Sequence, residues 1–194
     1  RYGGTLRLAL FDTRAREAIG PLVFERLVVF DGGEPKPSLA VSWVHNTPST
    51  RWRFRLRPGV QFHDGTPITA ETVAEALAEA GNDWRAFTSG GDVIVQAPRP
   101  IPGILWELAE SRSSVVLRTP QGSENGTGPF RITEWQEGRR VVLSANNAHW
   151  DGRPFADGIT IELGNSSRDP VLELELGRID IAEVDPPEAR RASE

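Results

Sequence analysis

The sequence predicts a mixed α/β fold, and three features carry that prediction. Short apolar-polar alternations recur along the 194 residues and mark strands with one buried face. A well-delimited helical stretch follows Thr69. Near the C-terminal end a strand at residues 159–163, a helix at 170–176 begun by Asp169 and a strand at 179–181 succeed one another, the succession an α/β core requires.

Taken in order, Leu6, Leu8 and Leu10 alternate with Thr5, Arg7 and Ala9, so this segment is expected as a strand of the core sheet. Over residues 18–30, Gly20-Pro21 opens a short helix that runs through Leu22, Val23, Leu27 and Val28 into an extended piece. Gly32-Gly33 with Pro35 and Pro37 then reads as a loop. Between residues 39 and 62 the pattern turns to β: Val41 and Trp43 alternate, and Trp52, Phe54 and Leu56 share one face while Arg51, Arg53 and Arg55 share the other. Residues 46–50 close this hairpin, and its arginine face is read as a solvated strand surface.

His63-Asp64-Gly65 makes a turn, since Asp-Gly supplies the left-handed backbone of a tight reversal. In the helix that follows, Thr69 is the N-cap, Glu71 complements the positive end of the dipole, Val73 and Leu77 share a face, and Gly81 ends it. Gly90-Gly91 turns the chain into a strand at 93–96, followed by a Pro-punctuated loop, a short helix at 104–109 and a strand at 115–117. Residues 120–128 read as a connector and a subdomain boundary, and 130–135 with 140–143 form a second hairpin.

Composition excludes several function classes. With 22 basic against 27 acidic residues the net charge is −5, which repels nucleic acid and anionic lipid, so the chain is peripheral to a membrane at most. No apolar run approaches the roughly 20 residues a membrane helix needs. The absence of cysteine removes disulfides, thiolate metal sites and a thiol nucleophile. Three scattered histidines and no Gly-x-Ser-x-Gly elbow assemble no reaction, so no enzyme and no cofactor are expected. Glu173 and Glu175 lie two apart on their helix and point to different faces. His63 and Asp64 are adjacent and lack a third ligand at suitable spacing, so no metal site is expected. Trp43, Trp52 and Trp135, at strand positions, are expected to pack in the core or between sheets. The chain contains no methionine, from which Arg1 is expected to follow a removed segment such as a signal peptide, and the polar stretch after Val184-Asp185-Pro186-Pro187-Glu188 suggests a cut there.

Several motifs resemble one family. Gly3-Gly4-Thr5-Leu6-Arg7, Phe24-Glu25-Arg26-Leu27-Val28 and Pro37-Ser38-Leu39-Ala40-Val41-Ser42-Trp43 look like the opening of the family 5 bacterial extracellular solute-binding proteins, the oligopeptide, dipeptide and nickel type. The run Phe54-Arg55-Leu56-Arg57-Pro58-Gly59-Val60-Gln61-Phe62-His63-Asp64-Gly65-Thr66-Pro67-Ile68-Thr69-Ala70-Glu71 resembles the family signature nearly position for position. Gly126-Thr127-Gly128-Pro129-Phe130 with Trp135, Asn146-Asn147-Ala148-His149-Trp150-Asp151-Gly152-Arg153-Pro154, and Leu176-Gly177-Arg178-Ile179-Asp180-Ile181-Ala182 agree in order and type.

The resemblance implies a periplasmic-binding-protein-like (type II) lobe with a mixed β-sheet and a β-rich inserted subdomain, the second lobe being absent from this sequence. Residues 1–30 and 129–194 would form the lobe core and 31–128 the insert. It also implies the substrate-binding component of an ABC import system, taking a peptide-like or other small solute, working with permease subunits, and placed in the periplasm or outside the cell, with a lipid anchor on a removed N-terminal segment as one form. The alternative is the ligand-sensing domain of a transcriptional regulator built on the same fold. In similar proteins the loop after the first strand, here Phe11-Asp12-Thr13-Arg14-Ala15-Arg16, contributes cleft contacts; it is short and lacks the usual Leu-Asp-Pro turn, which leaves Asp12 and Arg14 as candidates. Trp84 and Arg85 lie where relatives place an aromatic or arginine against the solute, and Arg112 has a comparable claim. Against these stand a core role for Trp84 and solvation for the arginines. The arginines hint at an anionic group, although 21 of the 22 basic residues are arginine.

Overall fold

The computed structural model describes residues 3–80, 83–118, 124–164 and 170–184, with the side chains of 12–15 excepted. Along the chain run β1 (Thr5–Leu10), α1 (Asp12–Val23), β2 (Val28–Asp31), β3 (Glu34–Pro37), β4 (Ala40–His45) and β5 (Arg51–Leu56). There follow α2 (Ala70–Ala78), β6 (Arg85–Ser89), β7 (Asp92–Gln96), α3 (Ile104–Leu108), a 3₁₀ turn (Ser111–Ser113), β8 (Leu117–Arg118) and β9 (Glu124–Asn125). The chain finishes with β10 (Phe130–Gln136), β11 (Arg140–Ala145), β12 (Gly158–Leu163), α4 (Pro170–Glu175) and β13 (Ile181–Ala182). Gly81 and Asp169, expected to bound helices, lie outside the described residues, and α2 passes at Glu79 into a turn.

The chain divides into two compact units. The first comprises Arg1–Leu22, Pro129–Asn147 and Gly152–Glu194, and the second Val23–Gly128 with Ala148–Asp151. Because Leu27 and Val28 are fully buried among Phe54, Val93 and Val95, the first changeover comes at Val23, ahead of the expected residue 30.

The first unit holds a mixed five-stranded sheet of order β10-β11-β12-β1-β13. β1 runs parallel to β12 and β13, while β10, β11 and β12 are antiparallel neighbours. In-register pairs Val141 with Ile161 and Leu143 with Ile159 build the buried face, the close cross-strand packing that stabilises a sheet. The strand β1 forms as expected, but its burial does not alternate: Leu6 is 41% exposed and Arg7, Leu8, Ala9 and Leu10 are all half-buried, so no single buried face results.

The second unit is built on the antiparallel sheet β4-β5-β7-β6, with hairpins β2-β3 and β8-β9. Trp52 and Phe54 are buried while Arg53 and Arg55 are exposed, the period-two pattern the sequence displays. Asn46 closes the β4-β5 hairpin, its Oδ1 accepting from the backbone N–H groups of Thr50 and Arg51 at 3.0 and 2.8 Å. Helix α2 buries Ala70, Val73, Ala74 and Leu77. Its N-cap Thr69 Oγ1 accepts from Thr72 N–H at 3.2 Å, and Thr69 N–H donates to Thr72 Oγ1 at 3.0 Å.

Several elements differ from expectation. The residues after β1 begin α1 instead of a loop, and Pro21, read as a helix start, lies in the last turn of that helix. Ala15, Arg16, Glu17 and Ala18 favour helix, and Asp12 suits its N-terminal end. The Pro35-Pro37 segment forms β3, whose pairing with β2 alone leaves one edge free for residues without an N–H donor. A strand at 85–89, not expected from the sequence, pairs with β7 across Gly90-Gly91, whose φ angles of +63° and +83° suit a tight hairpin turn. The strands expected at 115–117 and 179–181 shrink to Leu117–Arg118 and Ile181–Ala182.

Candidate functional site

Three of the five candidate residues fall in the second unit and gather around Glu107 and the start of β6. Trp84 is 9% exposed and belongs to the hydrophobic core, and its indole N–H donates to Glu107 Oε2 at 3.0 Å. The same Glu107 carboxylate lies 4.0 Å from an Arg112 guanidinium nitrogen, while Arg112 Nε pairs with Glu110 Oε2 at 2.8 Å. A local hydrogen bond fixes the turn carrying Arg112: Ser113, fully buried, donates its hydroxyl to the Glu107 carbonyl at 2.7 Å.

Arg85, exposed at the first position of β6, donates to Gln96 Oε1 at 3.5 Å and lies 5.3 Å above the Phe87 ring. Asp83, Trp84, Arg85, Gln96, Ala97 and Pro98 line a cleft of about 370 Å³. The cleft lining thus carries one charge of each sign, Asp83 and Arg85, and Trp84 links it to the pair of Glu107 and Arg112. Asp12 and Arg14 belong to the first turn of α1 in the first unit, and their side chains are outside the described residues.

The motif residues meet in a second cluster that the sequence did not reveal as one. Glu25, with a side chain 10% exposed, accepts from Trp150 Nε1 on both carboxylate oxygens at 2.9 and 3.0 Å, and His149 Nε2 lies 3.4 Å away. The Arg57 guanidinium stacks 3.8 Å from the Trp150 ring, and Arg57 Nε donates to the Ser38 carbonyl at 3.1 Å. Arg26 donates to the Ala109 carbonyl at 2.8 Å, and burial holds its pKa below the usual arginine value.

His63 and Asp64 also act as fasteners. His63 N–H donates to the Gly126 carbonyl at 2.9 Å, His63 Nε2 lies 3.1 Å from the Gly128 carbonyl oxygen, and Asp64 Oδ2 accepts from Asn125 at 3.0 Å. Among the described residues no three His, Cys, Asp or Glu side chains gather as metal ligands. Of the tryptophans expected to pack, Trp52 is buried and Trp43 lies against the core, while Trp135 is 37% exposed with the Arg16 guanidinium 5.2 Å over its ring. Among the described residues no helix is long and apolar enough to cross a membrane.

Comparison with known proteins places these features. The family described as bacterial extracellular solute-binding proteins, family 5 Middle, matches residues 34–194. The chain is 34% identical over 152 residues to protein YhjP of Bacillus subtilis, covering 71% of this chain and 26% of YhjP. It is 29% identical over 196 residues to the probable D,D-dipeptide-binding periplasmic protein DdpA of Escherichia coli, covering 84% of this chain and 38% of DdpA. The fold matches that of the oligopeptide-binding protein AppA of Bacillus subtilis, solved with a nonapeptide, with a TM-score of 0.82 at 21% identity over 100% of this chain and 46% of AppA. The chain thus spans between about a quarter and a half of the relatives it matches, and its architecture is that of part of a type II periplasmic binding protein.

Proposed function

The chain belongs to the bacterial extracellular solute-binding proteins of family 5, and on that premise we propose that it is part of the substrate-binding component of an ABC import system. Its solute is a peptide or a similarly small molecule, held between this portion and a second lobe. The family match over residues 34–194 carries the reading. The first unit then serves as the lobe core and the second as the β-rich insert. A ligand enclosed between two lobes loses water on all sides, whereas one lobe offers half a pocket. The working location is the periplasm or the outer side of a cell membrane, next to the permease that receives the solute.

Arg112 and Arg85 are the proposed contacts from the second unit, and Asp12 and Arg14 those from the first. Arg112 leaves a turn tied by the buried Ser113 hydroxyl, and its guanidinium is oriented by Glu110 at 2.8 Å. Carboxylates and guanidinia close together suit a zwitterionic, peptide-like solute, whose two ends need opposite partners. Trp84 contributes by holding Glu107, because its indole is buried and already donates a hydrogen bond. Titration calorimetry of the entire reading frame's product against di- and oligopeptides tests this. Arg112→Gln is expected to weaken binding by about tenfold, the loss of one charge-assisted contact. Unchanged peptide affinity in Arg112→Gln would remove that residue from the site, and binding of no peptide at all would remove the peptide reading.

A further inference from the structure

The outward face of the second unit's sheet concentrates positive charge. Strand β5 turns Arg51, Arg53 and Arg55 away from the buried Trp52 and Phe54. Register then places Arg51 beside Gln96 and Gln96 beside Arg85, and Arg53 beside Ile94 and Ile94 beside Phe87. The guanidinia of Arg51 and Arg85 lie 5.5 and 5.3 Å from the Phe87 ring centroid, so one aromatic ring holds two cations in place. Ile94 beneath them is 0% exposed, covered from this side by side-chain stems whose charged heads reach water. Of the four arginines here, Arg53 lies 3.8 Å from Asp92, and Arg55 has no acidic partner among the described residues. Val44, in register with Arg53 and 64% exposed, adds an apolar contact at the margin.

We propose that this face docks on the anionic phospholipid headgroups of a membrane surface. Arginines alternate along a strand about 7 Å apart and neighbouring strands lie about 4.8 Å apart, so the guanidinia form a two-dimensional array on a sheet face. Such an array fits a broad surface of phosphates, each of which a guanidinium can hold through two hydrogen bonds. An acidic protein segment would meet the same charges but needs pockets for its anchoring side chains, and Arg51, Arg53 and Arg55 lie outside the lining of the cleft at Arg85 and Gln96. The overall charge of −5 opposes approach from a distance. At physiological salt, screening over about 8 Å leaves the local array in control at contact. The inference rests on the receptor reading in one respect, that a membrane lies beside the protein.

The test is sedimentation of the 194-residue chain with vesicles of phosphatidylcholine alone or with one-third phosphatidylglycerol. Binding is expected to the anionic vesicles only and to be released by half-molar salt. At roughly fivefold per charge, Arg53→Gln with Arg55→Gln lowers the partition about 25-fold. The corresponding double lysine variant keeps most of the binding, and Arg131→Gln with Arg139→Gln, in the first unit, leaves it unchanged. Both Arg53 and Arg55 are exposed, so the variants are expected to melt like the parent. Equal binding of the glutamine variant, no binding to anionic vesicles, or capture by soluble polyglutamate but not by vesicles overturns the proposal. Peptide-induced stabilisation of the entire reading frame's product, measured on separate samples, reports on the receptor reading.

Discussion

Gly126 shows how little space some motif positions leave. A Cβ there would sit 1.9 Å from the Val23 carbonyl oxygen and 2.8 Å from the carbonyl carbon, backbone atoms that cannot rotate away. Gly126→Ala is therefore expected to destabilise the fold by about 3 kcal/mol, at the upper end of overpacking costs, read as a lower urea midpoint. Trp150 makes a complementary case. Its indole N–H bonds the mostly buried Glu25 carboxylate, so Trp150→Phe leaves that charge short of a donor and costs about 1–3 kcal/mol. Adding Glu25→Gln to that variant is expected to recover part of the loss, because the uncompensated charge is then gone. The motif containing Trp150 is plain in the sequence, yet its partner lies 125 positions away, and no local pattern announces a contact at that separation.

Helix α2 was legible because its determinants are local. The Thr69 cap, the Glu71 charge and the Val73-Leu77 spacing all fall within one short stretch, and the structure shows each in place. Thr69→Ala is expected to cost about 1 kcal/mol by thermal or urea unfolding. Strands β3 and β6 were not legible, since Pro35 and Pro37 argue against a strand and Arg85-Ala86-Phe87-Thr88-Ser89 alternates weakly. Both are strands through their partners, β2 and β7. Likewise β1 is tied down by two distant aspartates. Asp157 accepts from Gly4 N–H and pairs with Arg153, and Asp180 binds Arg7 through side chain and backbone. For Asp157 the Gly4 hydrogen bond is the main cause of a pKa below the ordinary 3.8, and for Asp180 it is the Arg7 side-chain hydrogen bond. A depressed folded-state pKa means stability present above pH 3.8 and lost as the pH falls through the lower folded values. In acid titrations followed by circular dichroism below about pH 4, Asp180→Asn is expected to flatten the pH dependence of stability.

The match over residues 34–194 identifies the family, while the proposed solute contacts are side chains that the sequence offers only as candidates. Arg112 and Trp84 meet at Glu107 by way of α3 and the start of β6, while Arg85 turns to Gln96 and Phe87, an arrangement no spacing rule foretells. Asp12 and Arg14 belong to the chain's other unit. A receptor that closes two lobes on its ligand gains affinity only when both are present. Ligand at a hundred times its dissociation constant stabilises the folded state by about 2.7 kcal/mol, or roughly 3 °C in melting temperature for a chain about twice this length. The most direct measurement is therefore the melting temperature of the entire reading frame's product and of this 194-residue chain, side by side, with and without peptides. A peptide that raises the first by several degrees and the second by less than one degree is the expected result. Equal stabilisation of both, or of neither by any peptide, would contradict a peptide receptor whose site is completed by a second lobe.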